Sequence, residues 1–183
     1  MRIISGQARG TILYTLEGDS TRPTLDRVKE SLFNIIQSKI KESIVLDLFA
    51  GSGALGIETL SRGAKKLVLC DKSKQAINII KKNLEKTRLS KNAIIINDDY
   101  KNAIKKMEDK FDIIFIDPPY MEDIAVKSVK DIIENNLLNE EGLIILETDD
   151  EQREIQQLQK INVNVQDLRR YGRVKLIFLN RKG

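Results

Sequence analysis

The chain has 183 residues, no histidine and a formal net charge of +4, from 31 basic and 27 acidic side chains. Without histidine, a Ser-His-Asp triad is excluded and a zinc site is disfavoured, so we expect no metal. The single cysteine, Cys70, cannot form a disulfide within the chain, and no apolar run is long enough to span a bilayer, so we expect a cytoplasmic protein without a membrane partner. The mild positive charge permits a nucleic-acid partner.

The N-terminal part predicts a hairpin followed by a helix. Residues 1–16 alternate in polarity and contain Gly6 and Gly10 where a hairpin would turn, so we expect two short strands. A polar loop over 17–24 follows, and apolar residues at helical spacing predict a helix over 25–39. The sequence leaves open whether this N-terminal part only packs on the domain or also binds a substrate, because clustered basic residues also occur on ordinary surfaces. The basic residues here are Arg2, Arg9, Arg22, Arg27 and Lys29.

A short apolar strand then ends at Asp47 and leads into a glycine-rich turn with Gly51 and Gly53. Glycines let the backbone approach a ligand, and the helix predicted over 54–61 offers free N–H groups and positive potential. The turn has neither a Walker lysine nor the full dinucleotide pattern. An aspartate before the glycines suits a ligand with positive charge, and S-adenosylmethionine, with its sulfonium and ammonium, fits.

The next two predicted strands also end in acids. Asp71 follows the glycine turn by ~20 residues, the spacing of a carboxylate that binds ribose hydroxyls. It could also cap the following helix, for which Ser73 is a second candidate. The strand over 93–96 leads to Asp98 and Asp99, either of which could accept a hydrogen bond from an adenine amine. We favour Asp99 because it is nearer the start of the next helix.

The most informative stretch is an apolar run over 111–116 that is typical of a strand buried on both faces. Two prolines stop strand pairing directly after it, at the sheet edge where open α/β folds bind ligands. The Asp117 carboxylate and the Pro118 carbonyl could accept both N–H bonds of an exocyclic amine and so restore its lone pair. Pro119 would fix the direction of that carbonyl, and Tyr120 could stack on the base for ~1–3 kcal/mol.

The remaining chain predicts a sheet that is mixed at one edge, because it ends in a hairpin whose strands are antiparallel. We find no internal repeat and no linker in the sequence. The predicted elements are a helix over 123–136, a strand over 142–147, a charged helix over 149–160 and hairpin strands over 163–171 and 173–179.

In their order and spacing, these motifs resemble those of class I S-adenosylmethionine-dependent amino-methyltransferases. Loop 47–53, the acids after the second and third strands and the box 117–120 carry that resemblance. More narrowly, the chain resembles the RsmD family, the bacterial small-subunit ribosomal RNA guanine-N2 methyltransferases. The narrower resemblance rests on segments 2–10, 22–34 and 48–64 and covers nearly the whole length.

The resemblance implies a three-layer, Rossmann-like α/β fold with a mostly parallel seven-stranded sheet, an antiparallel final strand and a small N-terminal hairpin and helix. Residues 1–40 would form an RNA-contacting arm, and 41–183 a catalytic domain that binds S-adenosylmethionine. The implied reaction is methyl transfer to the N2 amine of a guanine in 16S ribosomal RNA. A monomer would act on the RNA or on an assembling 30S subunit.

The resemblance also implies three sets of site residues. The amine-binding, catalytic box would be Asp117, Pro118, Pro119 and Tyr120. The cofactor site would be lined by Asp47, Phe49, Gly51, Ser52, Gly53, Asp71, Lys72, Asp99 and Tyr100. The RNA-contacting residues would be Arg2, Arg9, Arg22, Thr24 and Arg27.

Other functions remain open. DNA adenine-N6 methyltransferases use the same box but usually carry a sizeable target-recognition domain, for which this chain has no room. Glutamine methyltransferases tend to have an asparagine where Asp117 stands. A non-catalytic RNA-binding assembly factor on the same fold, or a nicotinamide-dependent oxidoreductase, agrees less well with the intact motifs.

Overall fold

The computed structural model describes residues 1–16, 23–119 and 124–183, with the backbone alone for 23–25. None of the helices in this part of the chain is long and apolar enough to cross a membrane. The α-helices are α1 (Pro23–Ile40), α2 (Ala54–Ser61), α3 (Lys74–Thr87), α4 (Tyr100–Lys106), α5 (Ile124–Glu134) and α6 (Glu151–Leu158). The strands are β1 (Ile44–Asp47), β2 (Lys66–Asp71), β3 (Ala93–Asn97), β4 (Phe111–Ile116), β5 (Leu138–Thr148), β6 (Val163–Tyr171) and β7 (Val174–Arg181).

The strands form one seven-stranded sheet in the order β3-β2-β1-β4-β5-β7-β6. β1 to β5 pair in parallel, whereas β7 is antiparallel to both β5 and β6. The predicted Rossmann-like class I fold with a reversed final strand is therefore confirmed. The chain moves outward from β1 to β3 and then returns to β4, so the strand order reverses between β1 and β4. Ligands of open α/β sheets bind at such a switch point, outside the carboxyl ends of the strands.

Helices cover both faces of the sheet, which gives three layers. Along β4, Ile113 and Phe115 join a core cluster with residues of α1, α2 and α3. Ile114 and Ile116 point the other way, as alternate strand residues must, and join a second cluster with residues of α4, α5 and α6. All four side chains are at most 1% exposed. The prediction of a strand buried on both faces is correct.

Residues 1–16, the N-terminal arm, form the predicted hairpin, but its pairing is shorter than that of two regular strands. The arm contains a single antiparallel bridge, between Arg2 and Ile12. Across the hairpin the Ile3 N–H donates to the Thr11 carbonyl at 2.9 Å, and the Leu13 N–H donates to the Met1 carbonyl at 3.0 Å. The Gln7 N–H instead donates to the Ser61 carbonyl at 2.8 Å, and other arm groups bond side chains of α2 and α3. Ile3 and Leu13 are buried in the same core as α1.

The other predicted elements are present with shifted ends. α1 begins at Pro23, where the missing N–H and fixed φ of proline suit the first helical position. β5 begins at Leu138, which pairs with Phe111, so this strand is longer than the apolar run from Gly142 indicates. α5 ends two residues earlier than predicted, and its predicted first residue, 123, lies outside the described residues. α6 is shorter than predicted at both ends.

Candidate active site

A cleft of about 580 Å³ lies at the carboxyl ends of the central strands. It brings together the acids that the sequence places after separate strands, on both sides of the switch point between β1 and β4. Gly53 is absent from its lining, and Tyr120 lies outside the described residues. The predicted residues that line the cleft are Asp47, Phe49, Gly51, Ser52, Asp71, Lys72, Asp99, Tyr100, Asp117, Pro118 and Pro119.

The glycine turn needs its glycines for backbone geometry. Gly51 and Gly53 have φ angles of 54° and 79°, in the left-handed region that other L-residues rarely adopt. Gly53 immediately precedes α2, and a Cβ there would lie 3.1 Å from side-chain atoms of Ile57 and Leu69. Gly53 therefore shapes the turn and packs it against α2 and β2, whereas Gly51 lines the cleft.

Asp71 holds the turn from the end of β2. Its Oδ2 accepts a hydrogen bond from the Gly51 N–H at 2.9 Å, and its Oδ1 accepts one from the Ser73 N–H at 2.8 Å. The cap of α3 is Ser73, whose hydroxyl accepts from the Ala76 N–H. Since each carboxylate oxygen can accept two hydrogen bonds, Asp71 retains capacity for ribose hydroxyls.

Asp47 is the buried acid of the cleft, with 3% of its surface exposed. Its Oδ2 accepts a hydrogen bond from the Gly56 N–H of α2 at 3.1 Å. Burial raises the pKa of Asp47 to about 7, although the Gly56 hydrogen bond acts in the opposite direction. A cation beside Asp47 favours the ionised carboxylate, so this position suits a positively charged ligand.

The two acids after β3 both line the cleft but are held differently. Asp99 caps α4 by accepting from the Lys101 N–H at 3.0 Å. Asp98 is bound by Lys106, whose hydrogen bond is the main cause of its lowered pKa. The preference for Asp99 as the adenine acceptor stays a prediction.

Two aromatic rings pack together in the half of the cleft beside the glycine turn. Phe49 and Tyr100 pack with ring centroids 5.3 Å apart at 50°. The Tyr100 hydroxyl is buried without a hydrogen-bond partner, and burial raises its pKa to about 12. Together they give the cleft an apolar wall beside its acids.

The other half of the cleft is framed by β4, β5, β7 and α1. Asp117 and Pro119 are exposed at the end of β4, and Pro118 is buried. Glu147 of β5 lines the same half and was missed, although the strand-end rule that found Asp117 applies to it equally. α1 contributes Asp26, Val28, Lys29 and Leu32.

A buried ion pair between α1 and α2, also missed, attaches the N-terminal arm to the cleft. The Lys29 ammonium lies 3.0 Å from Glu58 Oε2, and these side chains are 2% and 0% exposed. Glu58 also accepts hydrogen bonds from the Ile4 N–H, the Ser5 N–H and Arg62 Nε. Burial alone would raise the pKa of Glu58, but Lys29 and these donors outweigh it and lower the pKa.

A second attachment runs through Asn83 of α3, which is fully buried. Its side-chain oxygen accepts from the Tyr14 N–H at 2.8 Å, and its amide nitrogen donates to the carbonyls of Tyr14 and Ser52, each at 2.9 Å. One side chain therefore bonds both the arm and the glycine turn. The residue does not stand in any motif of the cofactor loop, and no local pattern indicates it.

Some of the predicted RNA contacts border a side groove of about 240 Å³. Arg2 and Arg9 are exposed and line it together with Asp26 and Glu30. Arg27 is exposed on α1. Of the other two predicted contacts, Arg22 lies outside the described residues and Thr24 is described by its backbone alone.

The cleft is strongly acidic, and the side groove carries two arginines. Carboxylates outnumber ammonium groups in the cleft lining, so it attracts cations and amines and repels phosphates. In the described ranges, no three His, Cys, Asp or Glu side chains lie together as a metal site. The acids that line the cleft are Asp26, Asp47, Asp71, Asp98, Asp99, Asp117 and Glu147, against Lys29 and Lys72.

This sheet order, with a glycine turn and strand-end acids around one cleft, defines a class I S-adenosylmethionine-dependent methyltransferase. The chain belongs to the RsmD family: the family model described as "Conserved hypothetical protein 95" matches residues 1–180.

Similarity to individual proteins supports the same family assignment. Ribosomal RNA small subunit methyltransferase D of Haemophilus influenzae is 41% identical over 81% of this chain and 79% of its own length. The Escherichia coli protein of the same name is 36% identical over 81% and 75%. The solved structure of yhhF from Escherichia coli superposes with a TM-score of 0.84 at 29% identity, covering 100% of this chain and 98% of that one.

Proposed function

We propose that this protein transfers the methyl group of S-adenosylmethionine to the N2 amine of a guanine in 16S ribosomal RNA while the small subunit assembles. One observation carries the proposal: Asp117 and the two prolines line the same cleft as the glycine turn and its acids. The relatives named as small-subunit ribosomal RNA methyltransferases support RNA as the substrate.

The residues of the cleft fit the cofactor. Asp71 has capacity for ribose hydroxyls, buried Asp47 favours a cationic ligand, and the Phe49 and Tyr100 rings supply an apolar surface. When bound, S-adenosylmethionine supplies a methyl group that its sulfonium already activates. The protein therefore needs no covalent intermediate and no strong base.

The contribution of Asp117 and Pro118 would be to orient the amine. Two acceptors, the carboxylate and the carbonyl, draw the amine hydrogens away from the plane of the base and return the nitrogen lone pair. Such alignment of two reactants can lower a barrier by ~7–11 kcal/mol. After transfer the nitrogen is acidic, so its proton can leave to Asp117 or water.

The charges of the surface would direct the target base and the RNA phosphates to different places. An acidic cleft disfavours the RNA backbone, so the target guanine must leave its stack and enter alone. Arg2 and Arg9 in the adjoining groove could then bind the flanking phosphates. In this proposal residues 1–40 are the RNA-contacting arm and 41–183 the catalytic domain.

The central test is Asp117→Ala, assayed with assembling 30S particles, free 16S RNA and DNA. We expect turnover to fall by more than ~100-fold while the Kd for S-adenosylmethionine changes less than about threefold, because the acid acts on the amine. Glu134→Gln, an exposed change on α5 outside the cleft, is the matched control. Activity of Asp117→Ala within tenfold of wild type would contradict the assigned role.

The target itself is tested by mass spectrometry of ribosomal RNA from a deletion strain. We expect one N2-methylguanine to disappear from 16S RNA and to return with the wild-type gene but not with Asp117→Ala. An unchanged 16S modification pattern, or methyl transfer to DNA alone, would overturn the proposed substrate.

A further inference from the structure

Asp26 lines the cleft and has one carboxylate oxygen without a hydrogen-bond partner. It lies in the first turn of α1, where a carboxylate often caps the helix, yet its Oδ1 is buried without a hydrogen-bond partner. Lys29, three residues on, directs its ammonium to Glu58 and to the Arg2 carbonyl. A buried acceptor without a donor is costly in a folded protein, which points to a donor that arrives with a ligand.

The packing of α1 on β4 brings Asp26 into the same cleft as Asp117. Phe33 of α1 packs on Phe115 of β4, with ring centroids 6.1 Å apart. From this contact, Asp26 is ~10 Å away along the helix, and Asp117 is ~7 Å away along the strand. Both residues line the cleft, so helix and strand reach its substrate half together.

The edge of guanine supplies the missing donor. Guanine presents its N2 amine beside an N1–H donor, whereas the N1 of adenine and of 2,6-diaminopurine is a bare acceptor. We propose that Asp26 selects guanine by accepting a hydrogen bond from N1–H while Asp117 and Pro118 accept from the N2 amine. This inference rests on the proposed function. A base with a bare N1 would place a lone pair against the carboxylate and be rejected.

The test changes the base and the acid together. RNA with 2,6-diaminopurine at the target position keeps the N2 amine but loses N1–H, and 6-thioguanine keeps both but replaces O6. Wild type should prefer guanine over 2,6-diaminopurine by ~10- to 100-fold in kcat/KM and accept 6-thioguanine well. In Asp26→Asn the amide can donate to a bare N1, so the preference should fall below about threefold.

The control is Glu30→Gln, the same loss of charge one turn along α1, at an exposed residue that lines the side groove and not the cleft. It should keep the wild-type preference. If Asp26→Asn lowers kcat/KM equally for both bases, Asp26 is structural and the inference is overturned. Absence of N2 methylation of guanine by wild type would instead overturn the proposed function, so the two failures are distinguishable.

Discussion

Glu58→Gln removes the charge at the centre of the contact between the N-terminal arm and α2. In the wild type this carboxylate accepts from two arm amides, from Lys29 and from Arg62. Glutamine has only one acceptor oxygen, and its NH2 group would lie against the N–H donors that the second carboxylate oxygen of Glu58 binds in the wild type. Lys29 would also keep a buried charge, with the Arg2 carbonyl as its remaining hydrogen-bond acceptor.

The magnitude follows from this burial. Removing one partner of a buried ion pair typically costs ~3–5 kcal/mol. Arg62 is 11% exposed and can turn to water, so we expect the lower end, a loss of ~3 kcal/mol in the free energy of unfolding. The Ile4 and Ser5 amides should exchange hydrogen faster, since they lose their acceptors.

Urea denaturation measures the first effect and amide hydrogen exchange the second. Glu85→Gln, an exposed change on α3, is the matched control and should alter stability by less than ~0.5 kcal/mol. A loss below ~1 kcal/mol in Glu58→Gln, with Ile4 and Ser5 still protected, would show that the ion pair does not hold the arm.

Two further predictions concern Asp47 and Gly6. The pKa of Asp47 is 3.8 in the unfolded chain and about 7 in the folded protein. As pH rises from 4 to 7, the unfolded chain therefore loses this proton before the folded protein does, and the free energy of unfolding falls. Wild type should therefore lose up to ~4 kcal/mol relative to Asp47→Asn over that range in urea titrations, and a constant difference would contradict the raised pKa. Gly6→Ala would put a Cβ 1.8 Å from the Ser61 carbonyl oxygen at a φ of +83°, whereas Gly10→Ala at +84° meets nothing within 4 Å. Thermal unfolding should show a loss of more than ~2 kcal/mol for Gly6→Ala and about 1 for Gly10→Ala, and equal losses would refute the close contact.

What the sequence predicts well is local. The β4 run, its prolines and the acids at strand ends are each encoded within a few residues, and parallel strands bring their carboxyl ends to one edge. The hairpin of the arm was predicted, but its attachment to the domain was not, because two side chains that bind its backbone, Glu58 and Asn83, lie more than 50 residues away. Such bonds leave no periodic signal, so neither side chain could be found from spacing.

The Asn83 amide has a consequence for how the two ligands affect each other. Asn83 bonds Ser52 in the glycine turn and Tyr14 in the N-terminal arm, so a shift of the turn strains the arm and a shift of the arm strains the turn. If cofactor binding orders the turn and thereby the arm, and the arm binds RNA as proposed, each ligand must strengthen the binding of the other by the same free energy. Sequence changes in the first sixteen residues should therefore alter cofactor affinity, even where they touch no atom of the cofactor.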